Sequence, residues 1–219
     1  MSQDDARAPL PAFHDDLDAA FAAVWRLLAD GVALGRSAFH APSLATLDGA
    51  GRPRSRTVVL READAAAGLL RFHCDRRSDK AAEIAAAPFC ALHAYDRAAK
   101  VQIRIEGRAR LHCDDAVADA AWDGSRAMSR VCYGVAPAPG TALETGGGYA
   151  LPDEAEAALG RPNFAAVLLR ADALDFLYLD RRGHRRAGWR RDGEGGGQEH
   201  GQGSGQGIGD GWRGEWRVP

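Results

Sequence analysis

The 219-residue chain is 46% hydrophobic and sets 28 Lys+Arg against 30 Asp+Glu, for a formal net charge of -2. That length suits one domain with a real core. That charge excludes a bulk nucleic-acid or membrane-surface binder, because both need a basic field, so the expected partner is a small molecule.

The segment Met1 to Pro11 is acidic and polar and lacks the basic-then-apolar layout of a signal peptide. No apolar run approaches the roughly 18 residues that span a bilayer. A soluble cytoplasmic protein without membrane or nucleic-acid partners is expected. Phe13, Leu17, Phe21, Val24, Trp25 and Leu28 recur at helical spacing before Gly31, which predicts an amphipathic helix over about 15–30 with a core-facing stripe. Ser43 to Leu47, a turn at Asp48-Gly49-Ala50-Gly51, and Arg54 to Leu60 read as a β-hairpin. Leu69 to His73 is a third strand.

Ser78 is the expected N-cap of a helix over Asp79 to Ala87 that stops at Pro88. Phe89 to Tyr95 is the fourth strand. Val101 to His112 alternates most clearly, with Val101, Ile103 and Ile105 on one face and Gln102, Arg104 and Glu106 on the other. Asp114 to Met128 reads as a helix capped by Asp114 or Asp115. Gly134 to Gly148 is a Pro/Gly-rich ordered loop or mobile lid, and brief helix returns around Pro152 to Leu159. Phe164 to Leu169, Ala173 to Leu179, His184 to Arg190 and Trp212 to Val218 complete the strands.

The stretch from about 192 to 211 is too poor in apolar groups to offset its ordering entropy and reads as a flexible insertion without a site. The whole chain, 1–219, is expected to be a single domain, mainly β with flanking helices (α+β), and its many strands joined by antiparallel turns point to a β-barrel. No G-x-G-x-x-G joins a strand to a helix, which disfavours a Rossmann fold. Cys74, Cys90, Cys113 and Cys132 are dispersed with no metal-like grouping, so reduced thiols and no metal are expected.

The most informative stretch is Arg56-Thr57-Val58-Val59-Leu60-Arg61. Its terminal guanidiniums stand roughly 16 Å apart along an extended backbone, a spacing suited to a long ligand with an anionic end. Period-2 alternation puts them on opposite faces of a regular strand, so one ligand meets both only by wrapping the strand end or pairing with the backbone between them. The competing reading is a core strand flanked by two solvated arginines.

Together with Phe72-His73-Cys74-Asp75, Ser78-Asp79-Lys80, Val101 to Gly107 and Trp212 to Pro219, this stretch resembles the pyridoxamine 5'-phosphate oxidase-like flavoproteins. The resemblance implies an FMN-binding split β-barrel, a homodimer with FMN at the interface, and an FMN-dependent oxidoreductase. Its alternative is a split barrel that stores or senses flavin, or binds heme, without turnover. As the resemblance implies, Arg56, Thr57, Val58, Val59, Leu60 and Arg61 line FMN with Arg56 at the phosphate end. His73 and Cys74 touch the flavin, Ser78 and Lys80 hold its phosphate at a helix N-terminus, and Gln102 and Arg186 complete the cofactor set. Arg126, Ser129, Arg182 and His184 face the substrate.

The sequence also departs from that pattern. Asp79 stands where the family commonly has arginine, with Arg76 and Arg77 as candidates to compensate. Leu177 replaces a flavin-contacting tryptophan, Trp122 stands near a substrate-phosphate tyrosine, and the loop 134–148 lacks a Gln-Ser contact. These changes bear on the substrate pocket more than on the cofactor. The catalytic chemistry is expected to be flavin-centred, with the protein positioning the reactants and supplying cationic stabilisation, so no nucleophile or acid–base triad is required.

Overall fold

A computed structural model describes residues 9–192, 206–208 and 211–219. Helix α1 (Leu17–Ala33) opens the fold, with the Asp16 carboxylate accepting from the Ala19 N–H at 2.9 Å. It runs past Gly31, where glycine is required by packing rather than as a helix stop, since a Cβ there would stand 2.5 Å from the Phe39 carbonyl oxygen. Strands β1 (Ser43–Leu47) and β2 (Pro53–Thr57) form the expected hairpin. The second predicted strand divides after Thr57, and β3 (Leu60–Asp64) pairs with β4 (Leu69–Asp75) instead.

Helix α2 (Asp79–Ala86) leads to β5 (Phe89–Asp96) and β6 (Val101–His112). The helix predicted over 114–128 is two pieces, α3 (Ala116–Asp123), capped by Asp115, and α4 (Ala127–Arg130), divided at Gly124. Short 3-10 turns at Val131–Gly134 and Glu156–Asn163 flank an irregular loop. Then come β7 (Phe164–Tyr178), β8 (Arg185–Arg191), β9 (Gln206–Ile208) and β10 (Trp212–Arg217). The central part of the expected insertion, 193–205, lies outside the described residues. Gln206–Ile208, within its predicted span, is an edge strand on β10.

All pairings are antiparallel, in the order β2-β1-β5-β6-β7-β8-β10-β9. The sheet splits along β7, whose first half pairs with β4 and whose second half pairs with β8, while β6 follows its other edge throughout. The sheet is open rather than closed on itself. Its core side holds Phe72, Ile103, Ile105, Val167, Phe176 and Trp189, and α1 packs there, with the Phe21 ring 5.6 Å from Trp189 and 5.7 Å from Trp212. Among the described residues no helix is long and apolar enough to cross a membrane, and all four cysteines are free.

Where β6 crosses β7 the register skips Asp172, and a Cβ on Gly107 would stand 2.0 Å from the Arg170 carbonyl oxygen. Gly107→Ala therefore forces the central strand apart. The expected cost is about 2–3 kcal/mol, as for other overpacked cores, read as a lower denaturation midpoint.

Candidate functional site

A cleft of about 350 Å³ opens between β3, β4, the end of α1 and the α3–α4 corner. It gathers Leu60, Arg61, His73, Arg126 and Ser129 from the predicted set, together with His40 and Arg71, which sequence reasoning missed. A β-bulge accounts for the convergence. In an unbroken ladder Glu62 would oppose Leu70, whose side chain is fully buried. Instead Leu60 pairs with Phe72 and Glu62 with Arg71, so Arg61 is the extra residue, and both charged side chains escape the core. The signal was present in the sequence as two adjacent charges, Arg61-Glu62, that interrupt a strand's alternation.

Three guanidiniums line this cleft, and its electrostatics follow from their partners. Glu62 accepts from Arg71 Nε at 2.7 Å, whereas Arg61 and Arg126 have no ion pair among the described residues. Arg71 Nη1 stands 3.3 Å from His73 Nε2. Guanidinium nitrogens only donate, so Nε2 accepts and the ring proton sits on Nδ1. Burial, then the charges of Arg71 and Arg61, push the His73 pKa down to about 3. The imidazole is thus a neutral wall at neutral pH. His40 Nδ1 donates to the Gly31 carbonyl at 2.7 Å, fixing the ring.

A depressed histidine pKa means the unfolded chain binds the proton first, so stability falls as pH drops from about 6.5 toward 3. His73→Gln is expected to flatten the acid side of the stability–pH curve in that window. Denaturation midpoints at a series of pH values check this, and an unchanged slope counts against the assignment.

A second group lies at the start of α2. Arg56 donates to Glu83 Oε2 at 2.6 Å and to the Thr46 hydroxyl, which itself donates to Glu83 at 2.5 Å. Burial raises the Glu83 pKa, but the bonds from Thr46 and Arg56 outweigh it and hold the carboxyl below its usual range. Ser78 occupies the N-cap position, yet its hydroxyl donates to the Asp75 carbonyl at 2.6 Å rather than acting as a side-chain cap. Lys80 Nζ is 3.4 Å from the Ser78 hydroxyl and has no ion pair among the described residues.

Cys74 is buried, and burial pushes its thiol up to about 12, so it remains protonated. Arg76 binds Asp114, and Arg77 binds Asp75 and the carbonyls of Val135 and Ala136. Neither is therefore free to compensate for Asp79. Thr57 is exposed and Val59 half-buried, while Val58 and Leu60 are core residues whose N–H groups donate to Pro42 and His40.

The third group lies on the face of the sheet opposite the apolar core. Backbone register aligns Thr57, Ser43, His93, Arg104, Asp175, Gly188 and Glu215 in one row. Beside this row, Gln102 Oε1 lies 3.2 Å from His93 Nε2, and Gln102, Leu177 and Arg186 are consecutive register partners. Arg186 donates through Nε and Nη2 to Asp175 Oδ2 at 3.1 and 2.9 Å. Arg182 is tied to buried Asp180, whose N–H also donates to His184 Nδ1 at 3.2 Å, so both residues serve the β7–β8 turn. Trp122 is buried against Phe164, with Arg130 over its ring, and lies outside the cleft lining.

One copy of the chain thus separates the expected residues into a cleft group, an α2 group and a sheet-face group. Comparisons with known proteins bear on what unites them. Residues 22–113 match the family model described as pyridoxamine 5'-phosphate oxidase, FMN-binding domain. Over 113 residues the chain is 37% identical to pyridoxine/pyridoxamine 5'-phosphate oxidase of Granulibacter bethesdensis, covering 50% of this chain and 53% of that protein. The match thus spans about half the length of that relative.

The structure is similar to a pyridoxamine 5'-phosphate oxidase-related, FMN-binding protein from Nostoc punctiforme PCC 73102, with a TM-score of 0.66, 27% identity and coverage of 97% of this chain and 100% of that one. PhzG from Burkholderia lata 383, solved with tetrahydrophenazine-1-carboxylic acid, shares the fold at a TM-score of 0.65 and 21% identity, over 97% of this chain and 98% of its own.

Proposed function

Family model, curated relative and solved structures all point to the pyridoxamine 5'-phosphate oxidase-like family, and on that premise we propose that this chain is an FMN-dependent oxidoreductase acting on a small anionic substrate. The observation that carries the reading is the cleft that brings Arg61, His73, Arg126 and Ser129 together from β3, β4 and the α3–α4 corner. The residues fit the cofactor: Lys80 at the start of α2 is a cation without an ion pair among the described residues, suited to a phosphate. Bound FMN supplies the two-electron acceptor. Arg61 and Arg126 bind the anionic end of the substrate, and neutral His73 walls the cleft without adding charge.

The sheet-face group, Gln102 and Arg186, reaches the same ligand when a second copy of the chain packs against the first. The site is then shared in a homodimer, with FMN between subunits. The testing measurement is the visible spectrum of the purified protein, with the released cofactor identified by mass and the assembly sized in solution. Yellow protein that releases one FMN per subunit and loses its colour anaerobically with a suitable amine or alcohol is the expected result. Colourless protein that leaves the fluorescence of added FMN unquenched would sink the reading, and bound flavin that no reductant bleaches would favour a storage or sensing role.

A further inference from the structure

Asp175 is a buried carboxylate with three guanidiniums around it. Its side chain is 9% exposed, and its Oδ2 accepts a hydrogen bond from Arg186 at 2.9 Å and forms ion pairs with Arg104 at 3.2 Å and Arg217 at 3.9 Å. The three arginines come from three strands, β6, β8 and β10. Backbone register explains how they meet. Asp175 is central on β7, facing Arg104 on one side and Gly188 on the other. A Cβ on Gly188 would fall 2.3 Å from Arg217 Cζ, so the missing side chain is the gap through which Arg217 reaches over β8.

Three positive charges against one negative leave a formal +2 on this part of the sheet face. Glu215 offsets part of it by binding Arg217 at 2.9 Å, but it is itself half exposed and screened. All three cations address one oxygen, and buried Oδ1 has no partner among the described residues; neither does Arg104 Nε. Without Asp175 the guanidiniums would repel one another and fan apart.

We propose that Asp175 is a positioning residue that aims Arg186, with Arg104 and Arg217 as its flanking charges, at the anionic cofactor. This rests on the reading of the protein as an FMN binder. Asp175 acts through Arg186 and does not itself touch the ligand. The sign of the effect separates positioning from plain electrostatics. Removing a negative charge from a cationic face strengthens anion binding if charge alone matters, and weakens it if orientation matters.

The test is the FMN dissociation constant of the full-length protein, read by quenching of flavin fluorescence, for wild type, Asp175→Asn, Arg186→Gln and the double variant. Thermal midpoints run in parallel. Asp175→Asn is expected to bind about tenfold more weakly, as for the loss of one oriented charged hydrogen bond. Arg186→Gln is expected to weaken binding at least as much, and the double variant no more than Arg186→Gln alone.

Asp175→Glu, which keeps the charge, should recover part of the loss. Unchanged or tighter binding by Asp175→Asn, or losses that simply add in the double variant, would overturn the proposal. If Asp175→Asn does not fold, Gly188→Ala, which displaces Arg217 and leaves the Asp175–Arg186 contact, is the substitute. It should weaken binding less than Arg186→Gln, and an equal or greater loss counts against Arg186 as the aimed group. Wild-type protein that binds no FMN would instead refute the functional reading beneath it.

Discussion

Replacing Arg61 and Arg126 together with alanine is expected to weaken binding of an anionic substrate by about two to four orders of magnitude while leaving FMN content unchanged. Both guanidiniums line the cleft, and neither is neutralised by a carboxylate among the described residues. Each offers a charge-assisted hydrogen bond worth about 1.5–3 kcal/mol, or roughly ten- to hundredfold in affinity. Their losses should come close to adding, because they sit on separate elements, β3 and the α3–α4 corner.

The bulge makes Arg61 the more sensitive of the two, since it fixes the backbone from which that side chain reaches the cleft. Arg71 is expected to matter less, because Glu62 already holds it. The measurement is the dissociation constant of pyridoxamine 5'-phosphate as a probe, together with the flavin absorbance of each purified variant. A double variant that binds the probe like wild type would remove the cleft from the substrate path. A double variant that loses its flavin would move both arginines into the cofactor site.

The contrast between Arg61 and Arg56 marks how much of this molecule its sequence discloses. Strand β6 was legible because Val101, Ile103 and Ile105 alternate with polar residues and every one of the three is buried. Helix α1 and the β1–β2 hairpin were legible for the same reason, through periodicity and turn chemistry, and the resemblance to the oxidase-like family was borne out. Strand β7 was not read as one element: Arg170-Ala171-Asp172 looks like a break, yet Asp172 is the residue that a bulge sets aside.

Bulges defeat period-2 reading because one extra residue reverses the side of all that follow. Arg56 and Arg61 were paired in the sequence by their spacing, but the break after Thr57 and the bulge at Arg61 send them to different neighbourhoods. The carboxylates that restrain the arginines were invisible for another cause. Glu83 lies in an alanine-rich helix, and its partners Arg56 and Thr46 are 27 and 37 residues away. Nothing local announces such a contact. The same is true of Asp175, whose arginines belong to three other strands.

Glu83→Ala is expected to cost about 3 kcal/mol of folding stability, the largest effect of a single substitution outside the apolar core. The side chain is 8% exposed and holds Arg56, itself largely buried, together with the Thr46 hydroxyl. Removing one member of such a pair leaves the other charge desolvated and unmatched, which costs about 3–5 kcal/mol when fully buried and less where water reaches the guanidinium. Because the fold depresses the Glu83 pKa, the unfolded chain protonates first, and this contribution is present at neutral pH and fades as pH falls through the carboxylate range.

The double substitution Glu83→Leu with Arg56→Met should recover most of the lost stability, since neither a charge nor a hydroxyl-bonded carboxylate then remains to be solvated except at Thr46. Flavin affinity distinguishes the two functions of Arg56. If it reaches the cofactor phosphate, the double variant folds stably and still binds FMN at least tenfold more weakly, as for the loss of one charged contact. If Arg56 serves only Glu83, the stabilised double variant binds FMN like wild type. Denaturant midpoints and fluorescence quenching on the same preparations decide between them.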